Sequence, residues 1–194
     1  LIVENCNSTV GTSAMFFHYG GTVKVENSII RNNLNGGLQF HSTDGIMYNV
    51  VIENNFNNSA IHVYDAGIEI DNSEIKNNPH SGITYSGVGY EPNNFQDVLF
   101  SNNGTQNNAD GGAINLSISG ALTNIKNCTF YNNGGSSDIK SSGGYFSDEF
   151  TGNNLTIENS IFFENPQNSS RVAIFAEENS NPLAKDSIYI TYCI

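Results

Sequence analysis

The chain has 194 residues, enough for one domain, and only 13% of them are charged. Nineteen acids stand against 7 bases, a formal net charge of −12, and the bases are scattered; this excludes a nucleic-acid binder, which needs clustered Lys and Arg. No apolar run approaches membrane-spanning length, so the segment is not expected to insert into a bilayer. The acidic, lysine-poor composition suits an extracellular or cell-surface setting.

Taken in chain order, one pattern returns. It reads Val23-Lys-Val-Glu-Asn27-Ser-Ile-Ile30-Arg-Asn-Asn33, then Ile68-Glu-Ile-Asp-Asn72-Ser-Glu-Ile75-Lys-Asn-Asn78, then Leu155-Thr-Ile-Glu-Asn159-Ser-Ile-Phe162-Phe-Glu-Asn165. Weaker copies sit on Asn5, Asn49, Asp97 and Asn127, with a truncated one on Tyr192. The steps between these anchors are 22, 22, 23, 25, 30, 32 and 33 residues, a period that implies a solenoid whose units cannot bury an apolar side alone.

Columns through the copies give the local geometry. Two residues before the anchor stand Val3, Val25, Met47, Ile70, Phe95, Ile125, Ile157 and Ile190. Three after it stand Ser8, Ile30, Ile52, Ile75, Phe100, Phe130 and Phe162. One after it stand Cys6, Ser28, Val50, Ser73, Val98, Cys128, Ser160 and Cys193. This is strand alternation with one parity inward, broken at the anchor. Asn tolerates the left-handed backbone, so the anchor predicts a tight corner between two strands, with amides stacking into a ladder there. A third strand follows each anchor by ten to seventeen residues, at Ala14-Met15, Gly37-Leu38, Ala60-Ile61, Gly82-Ile83, Ala113-Ile114, Asp138-Ile139 and Ala173-Ile174.

Three short strands per turn, each paired with its own copy one turn away, make an all-β parallel β-helix of about seven turns and roughly 34 Å at about 4.8 Å per level. Right-handed crossovers are the physical preference. The whole chain, 1–194, reads as one such domain. It opens and stops in strands without the polar caps a solenoid needs, which predicts a piece of a longer chain or a unit that stacks end to end.

The pairing of Phe-x-x-Asn with Gly-Gly-Ala-Ile is more specific. It occurs as Phe100-Ser-Asn-Asn103, Gly111-Gly-Ala-Ile114 and Phe130-Tyr-Asn-Asn133, with a further Phe162-Phe-Glu-Asn165. It resembles the repeats of polymorphic outer-membrane-protein-type surface adhesins. It is similar also to the wider right-handed, pectin-lyase-like β-helix superfamily, with its adhesin-like surface proteins of methanogenic archaea. The resemblance implies adhesion or surface structure in some members and polysaccharide cleavage in others, and fold alone does not choose.

Catalysis on such a scaffold needs a basic residue near calcium-binding acids, or grouped Asp residues. Glu69, Asp71 and Glu74 are the nearest acidic group, Glu4 and Glu26 are expected to stack, and no basic residue joins grouped acids on one face. Ca²⁺ is the only candidate cofactor. His18, His41, His62 and His80 fall in no common column, which argues against a metal cluster. The sequence therefore reads as a non-catalytic cell-surface structural or adhesive protein. A carbohydrate-active lyase or hydrolase is the alternative, and the expected partners are copies of itself, neighbouring surface proteins or carbohydrate.

Candidate contact residues lie on long segments after the third strands: Tyr90, Tyr145, Phe146, Asp148, Glu149 and Phe150. Outward positions two after the anchor, Ile29, Val51, Leu99 and Ile161, form a candidate assembly face. Glycosylation acceptors by motif are Asn7, Asn57, Asn103, Asn115, Asn154 and Asn168, while Asn127, as a corner anchor, is expected to be inaccessible. Cys6, Cys128 and Cys193 read as unpaired thiols used as small core residues, because stacked turns hold them too far apart to bridge.

Overall fold

Every anchor from Asn27 onward turns the chain through the left-handed region. In the computed structural model φ is 47° at Asn27, 53° at Asn49, 47° at Asn72, 54° at Asp97, 53° at Asn127, 47° at Asn159 and 53° at Tyr192. The structure describes residues 1–7, 13–88, 91–106, 111–119, 122–142, 153–163, 172–177 and 187–194. A second left-handed corner follows five residues later, at Asn32, Asn54, Asn77, Asn102 and Asn132. Each turn therefore bends twice within six residues, and the short strand between the bends has room for three residues.

The strands of the first face, ahead of the anchor, are the leading halves of β3 (Thr22–Arg31) and β5 (Asp44–Glu53), then β7 (Ile68–Asp71), β10 (Asn93–Gln96), β13 (Leu122–Lys126), β16 (Asn154–Glu158) and β19 (Ser187–Thr191). The second face holds β1 (Ile2–Glu4), the trailing halves of β3 and β5, then β8 (Glu74–Lys76), β11 (Leu99–Ser101), β14 (Thr129–Tyr131) and β17 (Ile161–Phe163). Because β3 and β5 run through the corner, the two faces join as one 12-stranded parallel sheet. The third face is a separate 7-stranded parallel sheet of β2 (Met15–His18), β4 (Leu38–His41), β6 (Ile61–Tyr64), β9 (Ile83–Val88), β12 (Gly111–Ser119), β15 (Ser137–Ser142) and β18 (Val172–Glu177). Its register stacks Met15, Leu38, Ile61, Ile83, Ile114, Ile139 and Ile174, the seven residues that the sequence marks for the third strand.

Register within the long sheet corrects the first copy of the repeat. Ile2, Val3 and Glu4 pair with Ile29, Ile30 and Arg31, so Asn5 stands over Asn32, not over Asn27. Val3, not Ser8, therefore heads the column Ile30, Ile52, Ile75, Phe100, Phe130 and Phe162. Glu4 does not stack on Glu26 but ion-pairs with Arg31, Oε2 to Nε at 2.7 Å. Ser8 itself lies outside the described residues. The confusion has a cause: the motif carries Asn at two corners five residues apart, and a short first copy fits either.

The core is a column of like on like. Ile75, Phe100 and Phe130 are each almost wholly buried. Phe100 and Phe130 stack with centroids 5.1 Å apart and planes 5° apart, and Phe130 and Phe162 follow at 4.5 Å and 2°. The third sheet closes against them through close-packed backbone. A Cβ on Gly112 would meet the carbonyl oxygen of Gly134 at 2.1 Å, which gives the Gly-Gly-Ala-Ile motif its physical reason.

Beside the apolar column runs a buried amide ladder, one residue past the second corner and inside the coil, where the sequence placed a ladder only at the anchor. Asn33 Nδ2 donates to Asn55 Oδ1 at 2.9 Å, Asn55 to Asn78 at 3.2 Å, Asn78 to Asn103 at 2.9 Å and Asn103 to Asn133 at 3.1 Å. Each Nδ2 also donates to a core carbonyl of the preceding turn; Asn78 reaches Ile52 O at 3.1 Å and Asn103 reaches Ile75 O at 2.7 Å. The anchor ladder exists too, at the surface and pointing the other way: Asn49 donates to Asn27 and Asn127 to Asp97.

The three cysteines are free, as the sequence requires, but they do not share one column. Cys128 and Cys193 follow their anchors and point Sγ toward the carbonyls of Lys126 and Thr191, as Ser28, Ser73 and Ser160 do with their hydroxyls. Cys6 instead heads the buried amide ladder, its N–H donating to Asn33 Oδ1 at 3.0 Å. Only Cys128 is fully buried; Cys6 and Cys193 are half-buried.

Two outcomes follow. Asn78→Ala strips partners from Asn55, Asn103 and two backbone carbonyls; at about 1–3 kcal/mol for each buried group left unpaired it should cost about 3 kcal/mol or more, as much as the roughly 3–5 kcal/mol expected for Phe100→Ala. Urea unfolding midpoints measure both, and an Asn78→Ala loss under about 1 kcal/mol would refute the ladder's role. For the thiols, burial pushes Cys128 up to about 11, so in the native protein it should be the slowest of the three to alkylate. Peptide mass spectrometry after timed labelling reads the order, and any disulfide-linked pair contradicts it.

Candidate functional site

Outward side chains on each face also stand in columns, and the third sheet carries the most distinctive. On β2, Phe16 and His18 point out while Met15 and Phe17 point in. In register, His18 lies on His41 and His41 on Tyr64; alongside, Phe16 lies on Gln39 and Gln39 on His62. The rings form one continuous group. Centroids are 5.3 Å apart for Phe16 and His18, 4.4 Å for His18 and His41, 4.7 Å for His41 and Tyr64, and 3.5 Å for His18 and Tyr19. Phe16 is 43% exposed, Tyr64 38% and Tyr19 77%. This overturns the expectation that the histidines share no column: two of the four stack. The spacing hid it, because the anchors are unevenly spaced and only the third-strand register aligns residues 18 and 41.

His62 sits in the neighbouring column with Nε2 2.8 Å from Ser86 Oγ. Burial, and secondarily the charge of His41, lowers its pKa from the ordinary 6.5. Among the described residues no three His, Cys, Asp or Glu side chains converge as metal ligands.

The second face carries charge in an alternating column, Glu4, Arg31, Glu53 and Lys76. The expectation that no basic residue joins grouped acids on one face is therefore wrong. Lys76 Nζ lies 3.9 Å from Glu53 Oε2 and also pairs with Glu74. The hydrogen bond to Glu74 leads in raising its pKa, and the bond to Glu4 leads in raising that of Arg31. Both cations hold their protons more tightly than usual, the opposite of what a proton-abstracting base requires. Glu69, Asp71 and Glu74 do not gather: Glu74 is paired across the corner, Asp71 stacks between Tyr48 and Gln96, and Glu69 borders a shallow hollow of about 160 Å³ with Asp44 and Glu91.

The candidate assembly column is real but interrupted. In register it runs Ile2, Ile29, Val51, Glu74, Leu99, Thr129 and Ile161, with Ile161 46% exposed and Ile29, Val51 and Leu99 half-buried. Two polar residues divide it into short apolar pieces. Of the glycosylation motifs, Asn103 is wholly buried as a rung of the inner ladder, which removes it as an acceptor. Asn7, Asn57 and Asn154 are exposed, and Asn115 is half-buried with its Oδ1 accepting from Ser117. Asn127 is exposed rather than inaccessible, its amide bonded to Asp97. Tyr90, Tyr145, Phe146, Asp148, Glu149, Phe150 and Asn168 lie outside the described residues.

Fold and faces together define a parallel β-helix. Residues 1–96 match the family model described as right handed beta helix region, in agreement with the coil and its expected hand. No curated protein and no solved structure matches the chain.

The lowered pKa of His62 gives a signed prediction. The unfolded chain takes up a proton near pH 6.5 that the folded chain withholds, so this contribution to stability is full above 6.5 and lost as pH falls below it. His62→Gln should lose less stability than the parent between about pH 7 and about pH 5. Thermal unfolding across that range checks it; equal losses would show that His62 is not withheld from protonation.

Proposed function

We propose that this is an extracellular, cell-surface β-helix with a structural and adhesive role and no catalytic activity. The observation that carries the reading is the exposed ring group of Phe16, His18, Tyr19, His41 and Tyr64, held on a rigid stack of strands. A contact surface of this kind binds by area and orientation, and it rests on backbone that cannot shift without breaking its ladders. The Phe-x-x-Asn and Gly-Gly-Ala-Ile repeats support a relationship to the adhesin-type β-helices. The acidic composition supports an exported setting. The proton-retaining state of Lys76 and Arg31 counts against the lyase alternative.

Two measurements on the full chain test the proposal. Immobilised chain should retain cells or cell-wall material saturably, and incubation with neutral and acidic polysaccharides, with and without Ca²⁺, should release no reducing ends. Reducing-end or unsaturated-product release above a buffer control would establish the carbohydrate-active alternative.

A further inference from the structure

We infer that the ring group on β2, β4 and β6 is a binding platform for a neutral polysaccharide, an inference that rests on the adhesive reading above. Three observations combine. The rings are planar, partly exposed and contiguous, stepping from one strand to the next at 4.4 and 4.7 Å centroid spacing, so they offer a stripe along the axis of the coil instead of a single anchor. An aromatic face is electron-rich, and the flat C–H face of a pyranose ring packs on it while the sugar hydroxyls stay at the edge. At that edge the same strands supply hydrogen-bonding groups: the Gln39 amide, the His62 ring and the Tyr19 and Tyr64 hydroxyls.

Charge selects among glycans. The outward positions of β2, β4 and β6 are Phe16, His18, Gln39, His41, His62 and Tyr64, with no Lys or Arg and no acid among them. The nearest acid in sequence is Asp65, just past Tyr64. The whole chain carries −12, which repels a polyuronate or sulfated chain at long range. A polycation would be drawn to the acidic columns elsewhere on the coil. A protein partner would call for a continuous aliphatic centre, and here rings alternate with amide and imidazole groups. A neutral, hydroxyl-rich polymer meets both the ring faces and the charge.

The test uses the full chain in equilibrium titration against soluble neutral polysaccharides (dextran, mannan and a mixed-linkage glucan) and the polyanions alginate and polygalacturonate. Saturable binding to at least one neutral polymer and none to the polyanions is the expected result. Phe16→Ala and Tyr64→Ala should each weaken that binding at least ten-fold, while Tyr64→Phe and Phe16→Tyr, which keep the rings, stay within about three-fold. Tyr131→Ala, which removes a ring from the exposed Tyr131–Phe163 stack on another face, should leave it unchanged. Circular dichroism confirms that each variant is folded. No binding to any neutral polymer, preference for a polyanion, or full affinity in folded Phe16→Ala and Tyr64→Ala overturns the inference. Cell retention that persists in those variants overturns the platform but not the adhesive role. Reducing-end release with stripe-dependent binding does the reverse, upholding the platform and overturning the non-catalytic reading.

Discussion

Satisfying the backbone at the second corner is the constraint on which this structure depends. A chain that bends twice within six residues turns peptide groups toward a dry interior, where an unpaired carbonyl or N–H costs about as much as a lost hydrogen bond or more. The buried asparagines answer this. Asn78 bonds its own neighbour's carbonyl at Lys76, the carbonyl of Ile52 a turn earlier, and the next amide at Asn103, so one side chain closes three groups at once. No apolar residue can do that, and a carboxylate cannot donate. The ladder thereby ties the registers of adjacent turns together and keeps Ile75, Phe100 and Phe130 in line.

That register is what gives the exterior its meaning. Parallel stacking places each outward residue directly beside its counterpart, so faces become columns with their own chemistry: an alternating ion ladder on the second face, an interrupted aliphatic line beside it, and rings and imidazoles on the third. The ion ladder is a surface feature of modest energetic weight. Its chief consequence is functional, since pairing fixes Lys76 and Arg31 as cations. The ring group has no comparable internal partner for its exposed faces, and it stands on the most regular run of the third sheet, where four successive strands keep an unbroken register.

Much of this was readable from residues alone, because the core pattern is local. Inward parity before Asn72 and after it appears in Ile68, Ile70 and Ile75, and the third strands appear in their small-then-aliphatic starts. The positive φ at Asp97 and Tyr192 follows from aligning weak copies to strong ones. What was misread also has physical causes. Asn32 and Asn27 are the same residue type in equivalent backbone, so Asn5 was given to the wrong corner and Cys6 to the wrong column. Asn103 looked like a surface acceptor because the glycosylation motif carries no information about burial, and it proved to be a ladder rung.

The sequence by itself determined the class of fold, the strands of each turn and which side chains fill the centre, since period-2 alternation and left-handed asparagines act within a few residues of one another. Only the tertiary structure decided what stands beside what on the outside. His18 and His41 are 23 residues apart and the next turns take 25, 30 and 32, so no fixed spacing links outward columns; hydrogen-bond register across the strands does. The core is specified by local alternation and is legible in one dimension, whereas the functional surface is made of neighbours chosen by strand pairing, which only the folded coil brings together.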